Sequence, residues 1–107
     1  MNALNWDKDF ALEQAADDME LLLELLEIFK DSFKTDYEQI KNGIESDAPD
    51  QVSAAAHSIK GAAASLGIKG INDVVKAIEE DSRDGNLDVA REKLPLLEIL
   101  MAELQNI

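Results

Sequence analysis

Apolar residues recur at intervals of three and four along nearly the whole chain, the spacing that lines one face of an α-helix. Leu22, Leu25, Phe29, Phe33, Tyr37, Ile40 and Ile44 hold such a face for about seven turns and predict a long helix over about Asp18–Gly43. Glu45 to Asp50 then supply a turn, with Asp47 as candidate N-cap and Pro49 suited to a first helical turn. Val52, Ala55, Ile59, Ala62, Ala63 and Leu66 mark the next helix, over about Pro49–Leu66, which stops where Gly67 and Gly70 bracket a short connection. A helix over about Gly70–Arg83 turns Ile71, Val74, Val75 and Ile78 inward, and Asp84-Gly85-Asn86 reverses the chain. The last helix carries Leu87, Ala90, Leu94, Leu97, Met101 and Leu104 at core spacing, with Pro95 inside it. That proline removes a backbone hydrogen bond and crowds the carbonyl four residues back, so a kink or a break into two pieces is expected. Ahead of these lies a short helix over about Asp9–Ala16, with Trp6 and Phe10 available to pin the N-terminal segment.

Short connections between long amphipathic helices favour antiparallel neighbours. The expected fold is therefore all-α: an antiparallel up-and-down four-helix bundle with a short N-terminal capping helix. At 107 residues, 46% of them hydrophobic, the chain has room for one such domain, spanning residues 1–107.

Composition narrows the function classes. The formal net charge of -13 argues against nucleic acid and anionic membranes as partners, since both are bound through basic surface. No cysteine is present, which excludes disulfides and thiolate metal sites. No apolar run approaches the roughly 20 residues that span a bilayer, and Met1 to Phe10 lacks the order of a signal peptide, so a cytoplasmic location is expected. The acid is also unevenly spread: Gln51 to Asn72 contains no Asp or Glu, where the average composition would place roughly five, yet includes Lys60 and Lys69.

Within that window stands His57, the only histidine. At about 100° per residue it lies on the order of 175° from the mean direction of its helix's apolar stripe, and so faces solvent or a partner. Ser53, Ala54, Gly61 and Ala64 share its face, and all are small; Lys60 lies about 60° to one side. Glycine inside a helix costs about 1 kcal/mol relative to alanine. Helical side chains lean towards the N-terminus, so a larger residue at Gly61 would cover the imidazole, and glycine leaves it open. An open imidazole is a competent nucleophile near neutral pH. A phosphoryl group suits the setting: Lys60 offers charge-assisted hydrogen bonds to phosphate oxygens, and the acid-free window does not repel a dianion.

Other chemistries lack their parts. Ser53 and Ser58 have no identifiable oxyanion site for a hydrolase triad. The Glu-x-x-His spacing of bundle metal sites is absent, because position 54 is alanine. Counting a calcium loop from Gly85 puts Arg91 where a bidentate acid is required. No Gly-rich phosphate loop is present, so neither a metal nor a nucleotide cofactor is expected.

The run His57-Ser58-Ile59-Lys60-Gly61-Ala62-Ala63-Ala64-Ser65-Leu66-Gly67 resembles the His-x-x-Lys-Gly signature of histidine-containing phosphotransfer domains. The resemblance extends over nearly the whole chain, through the leucine-rich second helix ending in Phe29 and Phe33 and the Gly85 turn. It implies a helical bundle whose histidine takes a phosphoryl group from the aspartyl phosphate of a response-regulator receiver domain and passes it to another. On that resemblance His57 is the phosphoacceptor, Lys60 the electrostatic stabiliser and Gly61 the residue that keeps access free. Ser53, Ala54 and Ala64 then belong to a docking surface for receiver domains or a hybrid histidine kinase, with the chain itself a monomer. Glu79 matches a fourth-helix position facing the histidine, often glutamine in relay members and glutamate in chemotaxis-kinase domains; it either accepts a hydrogen bond from the imidazole or merely pairs with Arg83. Arg83 matches a basic position of some members. Two competing readings stay open: a phosphotransfer domain labelled directly by a kinase domain with ATP, and a non-catalytic helical adaptor.

Overall fold

The apolar stripes fold against one another as five helices in a computed structural model that describes residues 3–107. Residues 1 and 2, part of the expected domain span, lie outside the described residues. In chain order the helices are α1 (Lys8–Gln14), α2 (Met19–Glu45), α3 (Pro49–Ser65), α4 (Lys69–Arg83) and α5 (Asp88–Gln105). Each of the last four packs on its chain neighbour, and α5 closes the ring against α2, while α1 touches α2 lightly. This is the expected four-helix bundle with a cap.

The core draws on every stripe: Leu22, Leu26, Phe29, Phe33 and Ile40 from α2, Val52, Ala55, Ile59 and Ala63 from α3, Ile71, Val75 and Ile78 from α4, and Leu97, Leu100 and Leu104 from α5. Burying each large aliphatic side chain is worth about 1.5–3 kcal/mol, which is what holds the helices together. Leu26 and Leu100 go deeper than Leu25 and Met101, which are only partly buried, as are Ile44, Ala62, Val74 and Leu94. A period of 3.6 leaves adjacent positions at a stripe's edge nearly equivalent, and neighbouring helices decide between them.

The chain deviates from the periodic reading at its punctuation. Asp18 caps α2 by accepting from the Leu21 amide at 3.2 Å, and Asp7 caps α1 by accepting from Phe10 at 3.1 Å. Asp47 does not cap α3: it takes a left-handed conformation at φ 54, and Ala48 occupies the cap position without a side-chain bond. The turn needs a residue tolerant of positive φ more than it needs a cap, and Pro49 opens the helix unaided. α1 ends at Gln14, short of Ala16, because Ala16 and Asp17 both turn to positive φ.

Pro95 does not break α5, which runs continuously from Asp88 to Gln105. The proline is exposed, on the solvent side of α5, where a missing backbone bond is least costly. α5 starts where it does because Asp81 of α4 accepts from the Val89 amide at 3.1 Å.

The N-terminal segment is pinned differently from expectation. Phe10 stays 38% exposed and is no anchor; Leu4 is fully buried instead. Trp6 does contribute, its indole N–H donating to the Leu66 carbonyl at 2.9 Å. Backbone bonds from Asp7 to Gly67 (2.9 Å) and from Gly70 to Leu4 (2.8 Å) fasten the segment to the α3–α4 connection. Gly67 turns that connection at φ +68, where a side chain would be strained and would also meet the Asp7 carbonyl. The fastening ties the N-terminal segment to the connection between α3 and α4, the two helices that carry the site.

Candidate functional site

His57 projects from the middle of α3 with its side chain 69% exposed. Its position follows from the stripe beneath it: Val52, Ala55, Ala56, Ile59 and Ala63 are buried against the bundle, and the ring points the other way. Four residues of α3 and α4 converge there. His57 Nδ1 lies 2.6 Å from Glu79 Oε2, Lys60 Nζ lies 2.5 Å from Glu79 Oε1, and Arg83 Nη2 lies 3.0 Å from Glu79 Oε2.

Glu79 is the hub, only 2% exposed. Burial alone pushes its carboxyl up, but hydrogen bonds from Lys60 and His57 and the charge of Lys60 outweigh that and hold it below its ordinary value of 4.5. An ionised carboxylate only accepts hydrogen bonds, so the ring nitrogen facing it, Nδ1, carries a proton that it donates. In the neutral imidazole Nε2 is then the nitrogen without a proton. One carboxylate between an ammonium and a guanidinium also leaves the cluster with a surplus positive charge when the imidazole is neutral.

Both contacts open for Glu79, with the imidazole and with Arg83, are present at once. Lys60 stands where the sequence puts it, one turn from His57, but its ammonium rests on Glu79. The Asn72 side chain donates to the Lys60 carbonyl at 3.3 Å, tying the two helices together beside the site. Ser58 Oγ donates to Asp36 Oδ2 at 2.7 Å, orienting α3 from the α2 side. Asp36 and Asn72 are short polar residues on helix flanks, with no spacing signal in the sequence to separate them from solvated ones.

Gly61 is exposed beside the ring, and a Cβ there would meet nothing within 4 Å. Close helix packing therefore does not account for it. Ala54 and Ala64 are exposed on the same face and Ser53 is half-buried, so the ring's surroundings are low. Gly61→Gln should raise unfolding stability by several tenths of a kcal/mol from helix propensity, with the added side chain lying over the imidazole. The expected result is a higher urea midpoint together with slower labelling of His57 by a protein donor; an unchanged labelling rate would show that access is not limited there.

The Glu79 contacts also predict a pH dependence of stability. Its carboxyl titrates lower in the folded chain than at its ordinary 4.5, so the unfolded chain binds more protons as pH falls into that window. The contribution is complete above about 4.5 and is lost as pH drops through the folded value. In urea titrations from about pH 6 to 3, wild type should lose more stability than Glu79→Gln, and parallel curves would contradict the assignment.

Among the described residues no group of three or more acidic or histidine side chains is disposed to hold a metal ion. No helix among them is long and apolar enough to cross a membrane. Comparison with curated proteins and with solved structures gives no significant match. A family model, Hpt domain, matches residues 24–107, which takes in most of α2, all of α3 to α5 and the whole His57 cluster. With the match covering most of its length, the chain belongs to the Hpt domain family, the histidine phosphotransfer domains of two-component signalling.

Proposed function

We infer that His57 is the phosphoacceptor, taking a phosphoryl group from the aspartyl phosphate of one receiver domain and passing it to another. The observation that carries this reading is the bond from His57 Nδ1 to the buried, ionised Glu79 beneath a ring that is mostly exposed. Nε2 attacks phosphorus, the bond between phosphorus and the donor's carboxylate oxygen breaks, and the donor carboxylate leaves. The ring becomes a phosphoimidazolium, and its new positive charge is balanced by Glu79 through the Nδ1 proton. Lys60 and Arg83 act on the oxygens of the arriving group: each is within side-chain reach of the ring and lends it positive charge, while Glu79 holds them in place meanwhile. Such a sparse site suffices because phosphoryl transfer mainly needs alignment and charge neutralisation, and the receiver domain supplies the rest.

Glu79 also favours a second reading, since a carboxylate at this position resembles the chemotaxis-kinase domains, which are labelled by a kinase domain with ATP. Incubating the chain with a panel of phosphorylated receiver domains, and separately with histidine-kinase domains and ATP, distinguishes the two. The expected result is acid-labile, base-stable label from receivers and back-transfer to a fresh receiver. Label from a kinase domain alone would favour the second reading, and no label from any donor would leave a helical adaptor.

A further inference from the structure

Among the described residues, every side-chain hydrogen bond that crosses between α3 and α4 ends on His57 or Lys60. Glu79 holds the His57 ring nitrogen and the Lys60 ammonium, and Asn72 donates to the Lys60 backbone carbonyl at 3.3 Å. Lys60 is therefore gripped by α4 at both ends. Asn72 and Glu79 can share the task because they stand seven residues apart, two turns of α4, and so project from one flank about 10 Å apart along the axis. The direction of the Asn72 bond is fixed by chemistry: a carbonyl only accepts, so the amide nitrogen faces it, and the carbonyl's second lone pair takes this bond beside the helical one.

The carbonyl that Asn72 holds belongs to the peptide joining Lys60 to Gly61. Without a Cβ, Gly61 has the freest backbone in α3, and no neighbouring atom lies within 4 Å of where a Cβ would stand to confine it. On its other side the Ser65 hydroxyl donates to the Gly61 carbonyl at 3.1 Å. Both peptides that follow Lys60 and Gly61 thus carry a side-chain bond in addition to the helical ladder. The glycine that leaves the imidazole open also loosens the backbone from which Lys60 grows. While Glu79 holds the ammonium, that looseness has no consequence. Once the ammonium turns to the oxygens of an arriving phosphoryl group, Lys60 keeps its hold on α4 only through its carbonyl, and Asn72 supplies it.

We propose that Asn72 is a positioning residue for phosphoryl transfer: by holding the Lys60–Gly61 peptide it keeps the stem of Lys60 in register while the ammonium leaves Glu79 for the incoming phosphate. The assignment rests on the phosphotransfer reading above. It is tested with phosphoramidate, a small donor that needs no docking: Nε2 of His57 bonds to phosphorus, the donor's phosphorus–nitrogen bond breaks, and ammonia leaves. Asn72→Ala should slow this labelling about fivefold, the factor that one neutral hydrogen bond supports. Asn72→Leu, close to asparagine in shape and a good helix former, should slow it as much and keeps the test open if the alanine variant folds poorly. In a Lys60→Met background, where no ammonium remains to be placed, Asn72→Ala should slow labelling less than twofold. In a Gly61→Ala background, where the backbone is already stiffened, it should likewise cost less than twofold. Labelling at the wild-type rate by both Asn72 variants, or an undiminished fivefold loss in the Lys60→Met background, would overturn the assignment, the latter because a merely structural asparagine acts whether or not the ammonium is there. Failure of wild type with phosphoramidate and with every receiver would instead remove the phosphotransfer reading beneath it.

Discussion

His57→Gln should abolish acid-labile labelling from every donor, protein or small molecule, while the helical CD spectrum and urea midpoint stay close to wild type. The labelling effect is complete because the chain has no other histidine and the substitution removes the nucleophilic nitrogen itself. The structural effect is small because the ring is mostly in solvent, and changes at such positions are usually within about 0.5 kcal/mol. Glutamine suits the test further, since its side-chain amide can still donate to Glu79 and so leave Lys60 and Arg83 in place. Residual label at wild-type stoichiometry in this variant, located by mass spectrometry on another side chain, would end the case for His57.

The bundle was legible because its determinants are local and repetitive. Seven apolar positions on α2 at spacings of three and four admit only a helix with one buried face, and four such helices with short connections admit few arrangements. His57 was legible for the opposite reason: it sits where the stripe is not. Gly61 was legible because glycine in a helix interior asks for a cause, and the open space beside it agrees.

What stayed hidden depends on contacts between distant residues. Periodicity alone leaves Glu79, beside Ile78 on α4, at a stripe's edge; the family resemblance turns it towards the histidine, but its burial and its contact with Lys60 follow only from the packing of α3 on α4. The sequence therefore assigned Lys60 to an incoming phosphate without foreseeing that a buried carboxylate holds it meanwhile. Lys30 is similar: charged, yet buried, with its ammonium donating to Glu27 and to the Ile107 carbonyl. Ser82 is fully buried because its hydroxyl donates to Ile78 and Glu79 carbonyls within its own helix, a local bond that periodicity does not weigh. At Asp47 and Pro95 a local tendency, to cap in one case and to break the helix in the other, does not prevail. At Asp47 the turn takes positive φ instead, and at Pro95 the helix continues, with Leu97, Leu100 and Leu104 buried after it.

The contrast between two helical glycines gives the second large effect, on folding. By helix propensity alone, Gly70→Ala should stabilise α4 by about 1 kcal/mol, as alanine at Gly61 should stabilise α3. At Gly70 the added Cβ would be brought against the Ala3 carbonyl oxygen, with the Leu4 carbonyl 2.8 Å away. These are backbone atoms, and they cannot give way singly, because Trp6 is bonded to Leu66 and Asp7 to Gly67 just beyond them. The N-terminal segment must lift away as a unit. Lifting it exposes Leu4, worth about 1.5–3 kcal/mol when buried, and breaks the Gly70–Leu4 backbone bond, worth about 1 kcal/mol. The losses exceed the propensity gain, so Gly70→Ala should lower unfolding stability by about 2 kcal/mol while Gly61→Ala raises it. The protein's one tryptophan lies in the displaced segment, so Trp6 emission should shift to the red in Gly70→Ala under native conditions and remain unshifted in Gly61→Ala. Labelling by phosphoramidate should persist in both, because the His57 cluster is built from α3 and α4 alone. A Gly70→Ala protein as stable as wild type, with unshifted emission, would mean that the segment's grip on the α3–α4 connection contributes little to the fold.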